Sequence, residues 1–184
     1  VEGGRAALAI AAAVPADGRL VVLLSGGASA LMAAPAEGLG LDLKQRTART
    51  MMDAGAAITE LNAVRKHLSA VKGGRLAAAC RGRTVTLAIS AVVGDDLSVI
   101  GSGPGVPDPS TWTDVRDALA AHGGERHAEA VLERAAAGCA GLLPETPKAS
   151  DPAMARARAH VIGGRREAMA GAADAARRLG YDVV

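Results

Sequence analysis

Phenylalanine is absent from all 184 residues, and Trp112 and Tyr181 are the only other large aromatic side chains. A core built without Phe has to be assembled from Ala, Val, Leu, Ile and Met, so helices must approach their neighbours closely through small side chains. With 49% hydrophobic and 22% charged residues the composition is that of a globular chain, and its length suits one domain with a sizeable core. The scarcity of aromatics removes a base-stacking platform, and a formal charge of +2 leaves no electrostatic footprint for nucleic acid. No apolar run reaches the roughly 18 residues of a membrane span. The start, Val1-Glu2-Gly3-Gly4-Arg5, has neither a signal-peptide layout nor an initiator Met, which points to processing or to a piece of a longer protein. Cys80 and Cys139 form no CxxC pair and read as two reduced, buried thiols of a cytoplasmic protein.

Residues 20–24, Leu-Val-Val-Leu-Leu, form the continuous apolar run of a strand buried on both faces. Residues 85–89 predict a second strand. Residues 157–162 predict a third, whose Arg and His side chains suit a sheet edge, and residues 181–184 a short last one. Helices are expected over residues 5–14, 44–54 with Asp42 as N-cap, 59–68, 113–121, 125–137 and 165–179. Residues 100–111 carry three glycines and three prolines and must be irregular. Strands alternating with helices indicate one α/β domain over residues 1–184 with a mostly parallel sheet.

Ligands of open α/β sheets lie beyond the carboxyl ends of the strands. Ser25, Gly26, Gly27, Ala28 and Ser29 occupy such a place after the first strand, where glycine lets backbone N–H groups approach a phosphate or carboxylate. The loop has no Gly-Lys-Ser/Thr triplet and no GxGxxG, so neither a Walker A loop nor a dinucleotide fingerprint is present. Lysine is scarce, 4 against 17 arginines, yet Lys66 and Lys72 fall beside Arg65 and Arg75 within one short segment. On a helix Asn62, Arg65, Lys66 and Ser69 are three or four apart and would share a polar face able to neutralise oxyanions. The glycine pair after Lys72 needs a structural reason, because it weakens a helix. After the second strand, Asp95 and Asp96 are adjacent carboxylates able to hold Mg²⁺. The histidines show no zinc spacing. They read as surface residues except His67, which lies inside the cationic segment.

Taken in order, Ser25-Gly26-Gly27-Ala28-Ser29-Ala30-Leu31, Glu60-Leu61-Asn62-Ala63-Val64-Arg65-Lys66-His67-Leu68-Ser69, Lys72-Gly73-Gly74, Val93-Gly94-Asp95-Asp96, Ile100-Gly101-Ser102-Gly103-Pro104, Pro107-Asp108-Pro109-Ser110-Thr111 and Glu145-Thr146-Pro147-Lys148 resemble the type-II glycerate kinases, whose C-terminal part is the MOFRL domain. The resemblance implies a Rossmann-like three-layer fold and an ATP-dependent kinase acting on D-glycerate with Mg²⁺. It also implies small-molecule and nucleotide partners, with a homodimer allowed. The chain resembles the later part of that family's N-terminal domain. The family's Lys-Ala-Ala stretch and its MOFRL domain have no counterpart in it. The implied site comprises Lys66, Arg65 and Asp95 as catalytic groups and Asp95 and Asp96 as metal ligands. Ser25–Ser29, Glu60, Asn62, Lys72, Ser102 and Gly103 would bind substrate or phosphate. Two positions depart from the family: Ala91 stands where an Asp is usual, and Gly105 where a Thr is. A hydroxypyruvate reductase using NAD(P)H and a non-catalytic anion-binding domain are the alternative readings.

Overall fold

Three parallel strands, β1 (Arg19–Leu24), β2 (Arg83–Ile89) and β3 (Ala157–Gly163), form a sheet in the order β1-β2-β3 in the computed structural model, which describes residues 1–183. Leu23 pairs with Leu87, and Leu87 with His160, so each strand contributes alternate residues to the same face. Around the sheet lie α1 (Glu2–Ala13), α2 (Ala28–Leu31), α3 (Leu41–Asp53), α4 (Ile58–His67), α5 (Arg75–Ala79), α6 (Trp112–Ala121), α7 (Glu129–Cys139), α8 (Pro152–Ala155) and α9 (Arg165–Arg178). The α/β class and the parallel sheet agree with the sequence pattern, and β3 is an edge strand as its polar residues require. Among the described residues no helix is long and apolar enough to cross a membrane.

The core falls into separate clusters. Leu20 of β1 packs with Ala11 of α1, Leu76 of α5 and Cys80, while Leu24 and Ala88 pack with Ile100. A purely helical cluster joins Met51, Leu61, Val64, Val115, Leu119 and Val131 around Trp112. As the lack of Phe demands, the apolar neighbours of Trp112 are aliphatic, and the His67 ring meets it edge-on with centroids 4.6 Å apart. Its indole Nε1 donates to the Pro144 carbonyl at 3.1 Å, and Gly138 of α7 lies directly against the ring. The start of α6 is fixed by a capping box in which Thr111 accepts from the Asp114 N–H and Asp114 accepts from the Thr111 N–H.

Five expectations are corrected. The apolar run of β1 is covered on one face only, and on the other Val21 is 58% and Leu23 74% exposed. An apolar run records what the strand presents on both faces, not what covers them. The N-cap of α3 is Gly40; Asp42 sits inside the first turn and pairs with Arg46 at 3.2 Å. Cys139 is exposed, unlike buried Cys80, and His122 and His127 are tucked against α3 and α4 rather than on the surface. Tyr181–Val183 form no strand, and Val184 lies outside the described residues.

A Cβ added at Gly138 would stand 2.1 Å from Trp112 Cδ2, and the ring, 1% exposed, has nowhere to retreat. Gly138→Ala is expected to destabilise the fold by about 2 kcal/mol or more, read as a lower urea midpoint.

Candidate anion-binding site

The turn from Lys72 to Arg75 explains its glycine pair. Gly73 and Gly74 adopt φ values of +56° and +81°, and their N–H groups donate to the carbonyls of Ser102 (3.0 Å) and Gly103 (2.7 Å). A Cβ at Gly74 would meet the Val106 carbonyl at 2.9 Å. The turn is thereby locked to the 100–105 loop, and Lys72 is directed toward the end of β1. There Lys72 Nζ donates to Ser29 Oγ (2.6 Å), to the Ser29 carbonyl (2.7 Å) and to Ser102 Oγ (3.4 Å). Arg65 of α4 donates to Ser29 Oγ at 2.5 Å and to Asn62 Oδ1 at 3.4 Å. With Arg65 and Lys72 occupying the oxygen lone pairs of Ser29, its hydroxyl proton is directed to Ser102 Oγ, 3.1 Å away. Ser102 is buried and holds φ +62°, a strained backbone for a residue with a side chain. The structure therefore brings together Ser29, Asn62, Arg65, Lys72 and Ser102, drawn from four separate segments. Burial, reinforced by the nearby Arg65, lowers the Lys72 ammonium to about 7.

Other residues that the sequence points to lie elsewhere. Ser25, Gly26 and Gly27 form an exposed turn, and the half-buried Ala28 opens α2, a helix of a single turn. Glu60 accepts from the Ala57 N–H (2.8 Å) and bonds His122 Nε2 (3.0 Å), serving as the cap of α4. Asp95 and Asp96 are exposed. Asp96 Oδ1 accepts from the Ser98 N–H at 2.8 Å, and Asp95 lines a shallow cavity with Arg165 and Arg166. Among the described residues no group of three or more His, Cys, Asp or Glu could hold a metal ion by itself. Ala91 is exposed just past the end of β2. Gly105 has a local reason: a Cβ there would come within 2.0 Å of Thr86 Oγ1, so Thr86 already occupies the space that a threonine would need.

Lys66 faces away from Ser29. Its Nζ donates to Asp108 Oδ1 at 3.1 Å, with both side chains almost fully buried. Ser110 donates to the same oxygen through its N–H (3.1 Å) and its hydroxyl (2.8 Å). Burial by itself would raise the Asp108 carboxyl, but the Lys66 ammonium and the Ser110 donors outweigh it and hold the group below the usual carboxylate range. His67 stands beside this pair, bonding the Ala63 carbonyl (2.9 Å) and Glu145 Oε2 (3.0 Å). Glu145 in turn accepts from the Trp112 N–H (2.9 Å) and pairs with Lys148 (3.2 Å). Sequence patterning does not mark Asp108, Glu145 or Lys148 as site residues. All three lie in segments whose motifs carry part of the resemblance, Asp108 in Pro107-Asp108-Pro109-Ser110-Thr111 and the other two in Glu145-Thr146-Pro147-Lys148, which is the signal that could have marked them. Lys44 also escapes sequence reasoning, although the scarcity of lysine is a usable signal. It lies 7% exposed beside the site, and burial, with Lys72, Arg65 and Arg75 nearby, lowers it to about 7.

Among curated relatives, the glycerate 2-kinase of Pyrococcus horikoshii is 39% identical over 153 residues, covering 83% of this chain and 35% of that protein. A putative hydroxypyruvate reductase of Agrobacterium vitis is 44% identical over 140 residues, covering 74% of this chain and 30% of that protein. The crystal structure of glycerate kinase from Thermotoga maritima superposes with a TM-score of 0.82 at 34% identity, covering 99% of this chain and 41% of that one. The chain thus spans about a third of the length of these curated relatives.

The buried charges have measurable consequences. Lys66→Met leaves Asp108 buried without its partner and is expected to cost about 3–5 kcal/mol in urea unfolding, while Lys66→Met combined with Asp108→Leu costs less than the two single changes together. Lys44 and Lys72 lose protons at about 7 in the folded chain but near 10.5 when exposed. Between those values the unfolded chain binds more protons, so the contribution of these lysines to stability rises with pH from about 7 toward 10, and Lys44→Met flattens that rise. The segment that carries Lys44, Arg65, Lys66, Lys72 and Asp108 lies within residues 1–136, matched by the family model described as "Domain of unknown function (DUF4147)", and the chain belongs to that family.

Proposed function

We propose that the full protein is a cytoplasmic, ATP-dependent kinase that transfers a phosphoryl group to the 2-hydroxyl of D-glycerate with the help of Mg²⁺. The observation that carries this reading is the convergence of Arg65, Lys72, Ser29 and Ser102 beyond the carboxyl end of β1. Phosphoryl transfer asks little covalent chemistry of a protein; it asks for alignment and for neutralisation of developing negative charge. Arg65 offers a planar fork and Lys72 a compact ammonium for carboxylate or phosphoryl oxygens. The hydroxyls of Ser29 and Ser102 orient the bound group between them. Lys66 acts one layer behind, its ion pair with Asp108 fixing the register of α4 and so the direction of Arg65.

The exposed Asp95 carboxylate fits Mg²⁺, which takes one or two protein oxygens and otherwise keeps water and substrate phosphates; bound there the ion would neutralise charge on the nucleotide. The names of the Agrobacterium relatives favour a second reading, a hydroxypyruvate reductase, against which stands the missing GxGxxG fingerprint.

ADP release from ATP and D-glycerate, set against NADH oxidation with hydroxypyruvate, separates the two activities in the full chain. Kinase turnover is expected, and Lys72→Met is expected to lower kcat/KM by about a hundredfold or more. NADH oxidation without ADP release would replace the kinase reading with the reductase.

A further inference from the structure

Lys44 has no task in the mechanism above, yet its placement is hard to account for otherwise. It lies on the first turns of α3 with 7% of its surface exposed, and its Nζ is buried without a hydrogen-bond partner. Lysine is among the residues least often buried unpaired, since an ammonium removed from water needs compensating oxygens. Lys44 is among the residues that line a cavity of about 450 Å³, together with Arg65, Lys72, Ser29, Ala33 and Leu61, a volume in the range of small-molecule sites, while the amine itself is sealed from solvent. The charged groups that face it are all cationic: Arg65 from α4, Lys72 from the glycine turn and Arg75 from α5, with Arg49 of its own helix also on the cavity wall. Among the described residues no carboxylate lines the cavity.

We propose that this cavity between α3 and α4 seats an oxyanion of the small acid on which the protein acts, and that the Lys44 side chain turns its amine to that oxyanion as a direct ligand. The identity of the acid rests on the kinase reading; the cavity and its third cation do not. Arg65 and Lys72 are already bonded to Ser29, whereas the buried Lys44 amine has no hydrogen-bond partner among the described residues. Burial of the Lys44 amine lowers the local dielectric and strengthens a charge-assisted bond made there. That burial, together with Lys72, Arg65 and Arg75, lowers the free lysine to about 7, so above pH 7 it is mostly neutral and an arriving anion draws a proton onto it. Ligand binding is thereby coupled to proton uptake.

The test is calorimetry on the full chain at pH 8 in two buffers of different ionisation enthalpy, with D-glycerate and with inorganic phosphate as separate probes. The wild type is expected to take up protons on binding. Lys44→Met is expected to take up fewer and to bind tenfold to about a hundredfold more weakly. Weakening toward D-glycerate alone assigns the cavity to a carboxylate, and weakening toward phosphate alone to a phosphoryl group; either supports the proposal. Wild-type affinity and proton uptake in Lys44→Met, with binding lost in Lys72→Met, overturn the role of Lys44 and leave the kinase site standing. Wild-type binding in both variants overturns both readings. Should Lys44→Met fail to fold, an NMR titration of the wild-type lysine side chains decides the same question: the Lys44 signal titrates at higher pH with D-glycerate or phosphate present, and an unchanged titration overturns the proposal.

Discussion

Two backbone hydrogen bonds, from Gly73 N–H to the Ser102 carbonyl and from Gly74 N–H to the Gly103 carbonyl, determine where Lys72 stands. They join two turns that are about thirty residues apart in sequence and have few other means of holding a fixed distance. With the turns locked, Ser29 at the end of β1 falls between Lys72 and Ser102, and α4 brings Arg65 to the same oxygen. Every group of the site is therefore placed by main-chain geometry, and side-chain rotamers make only the last adjustment. A side chain at Gly74 would separate the turns and, with them, the cations from the hydroxyls.

A second polar assembly supports the first from behind. Lys66 and Asp108 meet in the interior, and His67, Glu145 and Lys148 carry the connection onward to the backbone at Trp112. The largest side chain of the core is thus tied through hydrogen bonds to the helix that carries Arg65. In a core otherwise made of small aliphatic groups, this network supplies directionality that Ala and Val cannot.

Much of this is legible in the sequence. The strands show as apolar runs, β3 declares itself an edge through Arg158 and His160, and the glycine pair announces a special turn. Ser29 is marked by its place after β1 and Arg65 and Lys72 by the cationic segment, but joining them in one site rests on the family resemblance. The direction of Lys66 is not legible. Neighbours on an α-helix point about 100° apart, so two long cations that spacing places on one polar face can still serve different partners, and it is the tertiary position of Asp108 that takes Lys66 while Arg65 reaches Ser29. Lys44 is hidden for a related reason. Its position on α3 says that it lies near the core, but its burial depends on how α3 and α4 approach each other, and local spacing does not encode that. Trp112 is visible as a rarity, whereas its contact with Gly138 is a product of the α6 and α7 packing.

The face of the sheet bearing Val21, Leu23 and Ile89 lies open to solvent, and among the described residues no strand pairs with the outer edge of β1. A bare parallel strand beside exposed branched side chains is a template onto which another strand can add. Produced as an isolated segment, these residues would favour self-association and chaperone capture over a clean monomer, so solubility, more than activity, would set the limits of expression.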